Sequence, residues 1–328
     1  MVPYMAKNIS IFDNFSMYAR YLHSKIVDFN NLRILLKNWY SVVLFRLGFL
    51  KSTYLIFKDG YSLKVHNKKD YDAFWDSKRG QLYIAQLYGY DRHIRVYNKF
   101  ISLEFEPKKD IKFVYRDDIQ LRNIFGTIKE NFVDEQFKRL ICKNINVVDI
   151  GANIGDTAIY FALKGAKHVY AFEPYPYSYK LAIENIKLNR LNDKITIRNV
   201  GIGKKKGKII IDPNFKNTAG TKLKAFKFGK SINLVTLSSI VSSYKIRNAI
   251  LKMDCEGCEY EAILNSDNKI LRRFTHIMIE YHYGYKNLEK KLKEAGFVVE
   301  HTNPIVLYNN DTETKMVLGM IYAFRLGG

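Results

Sequence analysis

The chain has 328 residues, 47% of them apolar and 26% charged, enough to bury one large core and a smaller one, which excludes a disordered or fibrous protein. Its 53 lysines and arginines against 32 acids leave a net charge of +21, so it suits polyanions or an anionic surface and not an acidic scaffold. Three cysteines, Cys142, Cys255 and Cys258, are too few and too odd in number for a secreted disulfide framework, and a reducing cytoplasm fits them.

In chain order, residues 1–50 read as helices. The first twenty hold no apolar stretch of the signal-peptide kind. The greasiest run, from Ser41 to Leu50, carries Arg46 and falls well short of the roughly twenty residues needed to cross a bilayer, so no transmembrane span is expected. It reads as a helix packed into the N-terminal region, and the alternative is a helix lying on a membrane surface. From Thr53 to Glu106 the pattern changes to alternation broken by turns such as Lys58-Asp59-Gly60, which predicts a small β-rich or mixed region with hairpins. Tyr83, Tyr88, Tyr90 and Tyr97 fall there and read as core, with stacking on sugars or bases as the alternative. The chain divides near residue 140. Beyond it, strands near 147, 168, 195, 249, 275 and 297 alternate with helices and end in an apolar run from Met316 to Phe324. Such alternation predicts an α/β fold on a mainly parallel sheet, with its ligand at the strands' C-terminal edge.

The first of these strands closes on Asp149 and runs into a glycine turn and a helix: VVDIGANIGDTAIYFA, Val147 to Ala162. Gly151 and Gly155 let the backbone pass close under a ligand. Glu173 closes the next strand, about twenty residues on, where a carboxylate suits the two hydroxyls of a ribose. A dinucleotide fingerprint has three glycines to admit a pyrophosphate, whereas this loop has two, together with Asn153 and the acid Asp156. S-adenosylmethionine has no phosphate and carries a positive sulfonium, so Asp149, Asp156 and Glu173 suit it better.

With VVDIGANIGD stand AFEPYPYSYKLAIENIKLN, NVGIG (Asn199 to Gly203), VTLSSI, LKMDCEGCEYEAIL (Leu251 to Leu264) and IMIEYH, followed later by Gly296-Phe297. In this set and order the chain resembles the FkbM family of S-adenosylmethionine-dependent methyltransferases over about residues 130 to 300. The resemblance implies a class I, Rossmann-like methyltransferase fold, with a mainly parallel seven-stranded sheet and helices on both faces. It also implies a cofactor site at Asp149, Gly151, Asn153, Gly155, Asp156, Glu173, Asn199 and Gly201, and a methyl acceptor that is usually an oxygen of a sugar or polyketide. On that reading residues 1–140 are an accessory or substrate region and 141–328 the methyltransferase domain. Ser238 stands where the family usually has Asp, and is expected to cap the short helix that follows. Two cysteines flank the family's Glu-Gly pair. With no second cysteine pair or histidine pair beside them, they make no zinc set.

Asp254 and Glu256 end one strand, and Glu280 and His282 end another, each pair at i and i+2 and so on one side of an extended backbone, and the two strands are predicted neighbours. An attacking hydroxyl must lose its proton. His282 is the expected base, because histidine titrates near neutrality; Glu256 is second and Asp254 stands beside them. The four groups are hard or borderline metal ligands, but no metal is assigned, since sequence spacing does not make them converge.

Between Lys204 and Lys230, nine lysines stand against the single acid Asp212, which suits a phosphate on a nucleotide-linked sugar or a lipid-linked glycan. The segment reads as a strand, Lys208 to Ile211, and a loop around 214–221. An RNA methyltransferase or nucleic-acid-binding protein is the alternative that the charge offers and the motifs do not. An oxidoreductase is disfavoured by the missing third glycine. A cytoplasmic protein, peripheral at a membrane if the basic segment meets lipid, is the expected setting.

Overall fold

The computed structural model describes residues 31–77, 79–80, 83, 94–96, 100–105, 108–114, 127–211, 229–309 and 314–325. Tyr88, Tyr90, Tyr97 and residues 212–228 of the lysine-rich segment lie outside them. The chain forms two compact units, Met1–Ile94 with Gln120–Phe125, and Arg95–Ile119 with Gly126–Gly328.

In the first unit, Trp39–Arg46 (α1) lies beside an antiparallel hairpin of Thr53–Ile56 (β1) and Ser62–Val65 (β2). The expected Lys58-Asp59-Gly60 turn joins the strands. Gly60 takes φ +95°, and Asp59 Oδ1 accepts from Tyr61 N at 2.9 Å. A second helix, Lys68–Asp76 (α2), falls where strands and turns are expected. Its start is fixed by Asn67, whose side chain accepts from Asp70 N at 3.0 Å. Leu36, Val42, Leu55, Phe57, Val65 and Phe74 make the core. Tyr83 belongs to it, stacked on Phe57 with centroids 3.8 Å apart and its hydroxyl on Asp59.

In the second unit the sheet is built on Asn146–Ile150 (β6), His168–Phe172 (β7), Ile195–Arg198 (β8), Ala249–Met253 (β12), Phe274–Tyr281 (β13), Val298–His301 (β14) and Thr314–Phe324 (β16). The order is β14-β16-β13-β12-β6-β7-β8, with Ile305–Asn309 (β15) on β16. The five strands from β13 to β8 are parallel, and β16 runs against β13. This is the expected mainly parallel sheet of seven strands. Every residue of β12 is buried, as a strand covered on both faces requires. Ala249, Leu251 and Met253 pack with helices Leu237–Ser243 (α5), Cys258–Leu264 (α6) and Lys286–Glu294 (α8), while alternation turns Ile250 and Lys252 to the other face.

Two sequence expectations change. The hairpin of Phe100–Phe105 (β4) and Lys108–Val114 (β5), placed before the division near residue 140, belongs to the second unit. The reason is local: Asn185 and Asn189 of helix Pro176–Leu188 (α4) accept from Val114 N at 2.6 Å and Lys112 N at 2.9 Å, and Asn189 also donates to Lys112 O at 2.7 Å. Ser238 does not cap α5. Thr236 does, accepting from Ser239 N at 3.1 Å while Ser239 Oγ accepts from Thr236 N at 3.0 Å, because the helix starts two residues before the expected cap could act. The expected strand at Lys208–Ile211 is present as Gly207–Ile211 (β10), paired with Lys230–Val235 (β11).

Candidate active site

At the C-terminal ends of β6, β7, β12 and β13 lies a cavity of about 310 Å³. Its floor is the turn after β6. Gly151 has φ +81°, and a Cβ there would stand 1.7 Å from Asp254 O, so only glycine lets this turn pass against the end of β12. Gly155 also takes φ +81° and packs against Ala182, starting helix Asp156–Leu163 (α3) from behind the cavity.

Of the eight expected cofactor residues, Gly151, Asn153, Asp156 and Glu173 line the cavity. Glu173 is 4% exposed, its Oε2 accepting from Asn153 N at 2.9 Å and its Oε1 from Tyr175 N at 2.8 Å. Burial raises its carboxyl to about 8, against the pull of those two amides. Asp156 is 3% exposed. Its Oδ2 accepts from Asn131 at 2.6 Å, while its buried Oδ1 has no hydrogen-bond partner among the described residues. An acceptor left without a partner inside a cavity is expensive unless a ligand supplies a donor or a cation.

Asp149, Asn199 and Gly201 are not cavity walls. Asp149 is fully buried, accepts from Thr157 Oγ1 at 2.6 Å, and lies beside Lys252 in the parallel register, with Nζ 3.1 Å from Oδ1. That contact is an ion pair outside hydrogen-bond geometry; the ammonium also donates to Gly151 O at 2.9 Å. Asp149 thus holds the glycine turn through Lys252 and is not among the cavity's lining residues. Asn199 holds the chain after β7 by donating to Glu173 O and Pro174 O at 2.9 and 2.8 Å. Gly201 pairs with Leu234. Lys252 was not expected. Its signal is a lysine inside the apolar strand AILKM, a charge that must be paired to be buried. Replacing Lys252 with methionine strands Asp149 without its counter-ion, and is expected to cost about 3–5 kcal/mol, read as a fall in the thermal midpoint. An unchanged midpoint would show that the pair does not hold the turn.

The expected catalytic trio comes together in the lining of the same cavity. His282 is 2% exposed, with Nε2 3.0 Å from Glu256 Oε2 and 3.9 Å from Asp254 Oδ1. Its Nδ1 is 2.9 Å from Oε1 of Glu259, a fully buried residue of α6. Burial alone would lower the imidazole pKa, but the hydrogen bonds and charges of Glu256 and Glu259 outweigh it and raise it to about 11. Carboxylates on both ring nitrogens thus favour the charged ring over the neutral base expected from the sequence. Burial, with the neighbouring charge of Asp254, raises Glu280 to about 8; burial also raises Asp254, against the charge of Lys252.

Glu256 reaches the ring from a turn and not from the strand, since β12 ends at Met253 and Glu256 and Gly257 take φ +57° and +111°. Cys255 and Cys258 are joined by a disulfide across this turn, Cα to Cα 5.4 Å. The cysteine count argued against a secreted disulfide framework; two successive left-handed residues bring the i and i+3 cysteines together locally, with no framework needed. Glu259 Oε2 braces the same turn by accepting from Gly257 N at 2.9 Å. Asp254, Glu256 and His282 offer ligand atoms within 4.8 Å of one another, the one such grouping among the described residues.

Residues 149–299 match the model of the methyltransferase FkbM domain. The chain carries a methyltransferase FkbM domain. That domain is S-adenosylmethionine-dependent, and the cavity fits the cofactor: Glu173 offers free lone pairs for the ribose hydroxyls, the glycine turn gives room, and Asp156 Oδ1 supplies the missing partner of an ammonium. A ribosomal protein L11 methyltransferase of Carboxydothermus hydrogenoformans is 38% identical over 93 residues, 27% of this chain and 30% of that one. The match thus spans under a third of that relative's length. Among solved structures, a putative transferase of Pyrococcus horikoshii aligns over 79% of this chain and 86% of its own at 16% identity and TM-score 0.41. The M. capricolum protein TrmK, solved with S-adenosylhomocysteine, aligns over 57% and 66% at 16% identity and TM-score 0.36.

Proposed function

We propose that the protein O-methylates a hydroxyl on a sugar, glycan or other small molecule, with an acceptor that carries phosphate. The observation behind this reading is that Asp254, Glu256 and His282 meet in the lining of the same cavity that Gly151, Asn153, Asp156 and Glu173 line. S-adenosylmethionine, when bound, supplies an electrophilic methyl group. Glu173 and Asp156 hold and orient it. Glu256 takes the proton of the acceptor hydroxyl, because His282 keeps its own proton and stabilises the carboxylate beside it. Asp254 shares the wall and orients the hydroxyl. Exposed lysines 204, 205, 206 and 208 begin two residues after the cavity-lining Ile202, which supports a phosphate-linked acceptor such as a nucleotide sugar or lipid-linked glycan. Residues upstream of the methyltransferase domain would then serve as the accessory region, and the setting would be cytoplasmic.

A second reading, an RNA methyltransferase, rests on the net charge of +21. Transfer of labelled methyl groups to a panel of nucleotide sugars, lipid-linked glycans and transfer RNA separates the two. Labelled nucleotide sugar or lipid-linked glycan is expected; label in RNA alone would replace the first reading with the second. Transfer is also expected to survive exhaustive EDTA. Both ring nitrogens of His282 already face carboxylates, which leaves no lone pair for a cation. Loss in EDTA that magnesium or manganese restores would overturn the metal-free step.

A further inference from the structure

In the first unit, α1 buries only one of its faces. Val42 and Phe45 are 0% and 8% exposed and pack into the core. Tyr40, Leu44 and Leu47, at i, i+4 and i+7 along one stripe, point the other way and are 60%, 42% and 60% exposed. Past Gly48, which turns the chain with φ +86°, the stripe continues through Phe49 at 75% and Leu50 at 38%. Scattered exposed apolar residues are ordinary, but a contiguous stripe on a helix whose opposite face is already satisfied marks a contact surface.

Charge says what the contact is. From residue 31 to 51 the chain has Arg33, Lys37, Arg46 and Lys51 and no acid, and all four are exposed. A half-buried Trp39 stands next to Tyr40, the amphipathic aromatic pair that suits a boundary between apolar and wet phases. Apolar side chains on a stretch whose own charges are all positive match a surface that is greasy below and anionic above. No described helix is long and apolar enough to cross a membrane, so the element would lie in the interface plane.

We propose that the outward stripe of α1 with the following Phe49 and Leu50 is a docking face for an anionic lipid bilayer. The proposal does not depend on the methyl acceptor or on activity.

Flotation of the full chain with phosphatidylcholine vesicles, with and without phosphatidylglycerol, tests it. The wild type is expected to float with the anionic vesicles, less so as salt rises. The charge-neutral double variant Leu47→Gln, Phe49→Gln is expected to lose at least tenfold in partitioning at an unchanged thermal midpoint, since both side chains are exposed. Lys37→Gln with Lys51→Gln should weaken binding to anionic vesicles alone. A variant pair that floats as well as the wild type would overturn the proposal, because the general positive charge would then account for binding. Failure of the wild type to float would also overturn it. So would a larger species in size-exclusion chromatography that the Gln pair dissociates, which would assign the stripe to a protein contact.

Discussion

Replacing Glu173 with alanine is expected to abolish measurable binding of S-adenosylhomocysteine while leaving the domain folded. The carboxylate sits at the end of β7, with one lone pair on each oxygen taken by Asn153 N and Tyr175 N and the others facing the cavity. Two ribose hydroxyls donating to a charged acceptor are worth together about 3 kcal/mol or more, which is over a hundredfold in affinity. Calorimetry reads this directly, with NADH as a control for a dinucleotide site. The raised carboxyl adds a pH signature. Hydroxyl donors favour the ionised form, so affinity should rise as pH climbs towards and past about 8, with proton release on binding. The effect on stability has the opposite sign. A carboxyl raised from 4.5 to about 8 by burial favours the protonated fold, so its contribution falls as pH rises between those values and is level above them. Glu173→Gln should flatten the pH dependence of binding. Wild-type affinity in the alanine variant, or tighter binding of NADH, would remove S-adenosylmethionine from the site.

Glu256→Gln is expected to lower kcat by about 10²–10⁴ and to change S-adenosylhomocysteine affinity less than threefold, the range over which a positioned base acts. His282→Ala should also lower kcat, since it removes the cation that Glu256 and Glu259 share. The two roles separate in the pH profile. A histidine base would switch on near pH 6.5. A ring held protonated up to about 11 gives no inflection there, and its contribution to stability is present at neutral pH and lost only as pH rises through about 11. An inflection of kcat near 6.5 that disappears in His282→Ala would return the base to His282. Full turnover in Glu256→Gln would take the role from the carboxylate.

Much of this was legible in the chain because strand and turn are local. The period of the apolar runs placed the strands of the main sheet, and the glycine pair with Asp156 and Glu173 marked the cofactor end, since turn geometry and strand-end position need only neighbouring residues. The pairing of Asp254 and Glu256 with His282 was half legible: the prediction that the two strands are neighbours gave the meeting, while the turn that carries Glu256 past the end of β12 was not foreseen. The helix at Lys68–Asp76 was missed because Asn67 and Asp70, which fix its start, lie in a segment whose flanks alternate.

By itself, then, the sequence determined the α/β class, which follows from repeated short-range patterns, and its motifs carried the resemblance that implied the family and the cofactor. Tertiary structure alone decided which acids line the cavity and which face each other. Lys252 lies beside Asp149 through strand register, which turned an expected cofactor ligand into the anchor of the glycine turn. Glu259 meets His282 from 23 residues away, and that contact keeps the imidazole charged. Ionisation depends on burial and on neighbours distant in sequence, so no one-dimensional reading could assign the proton.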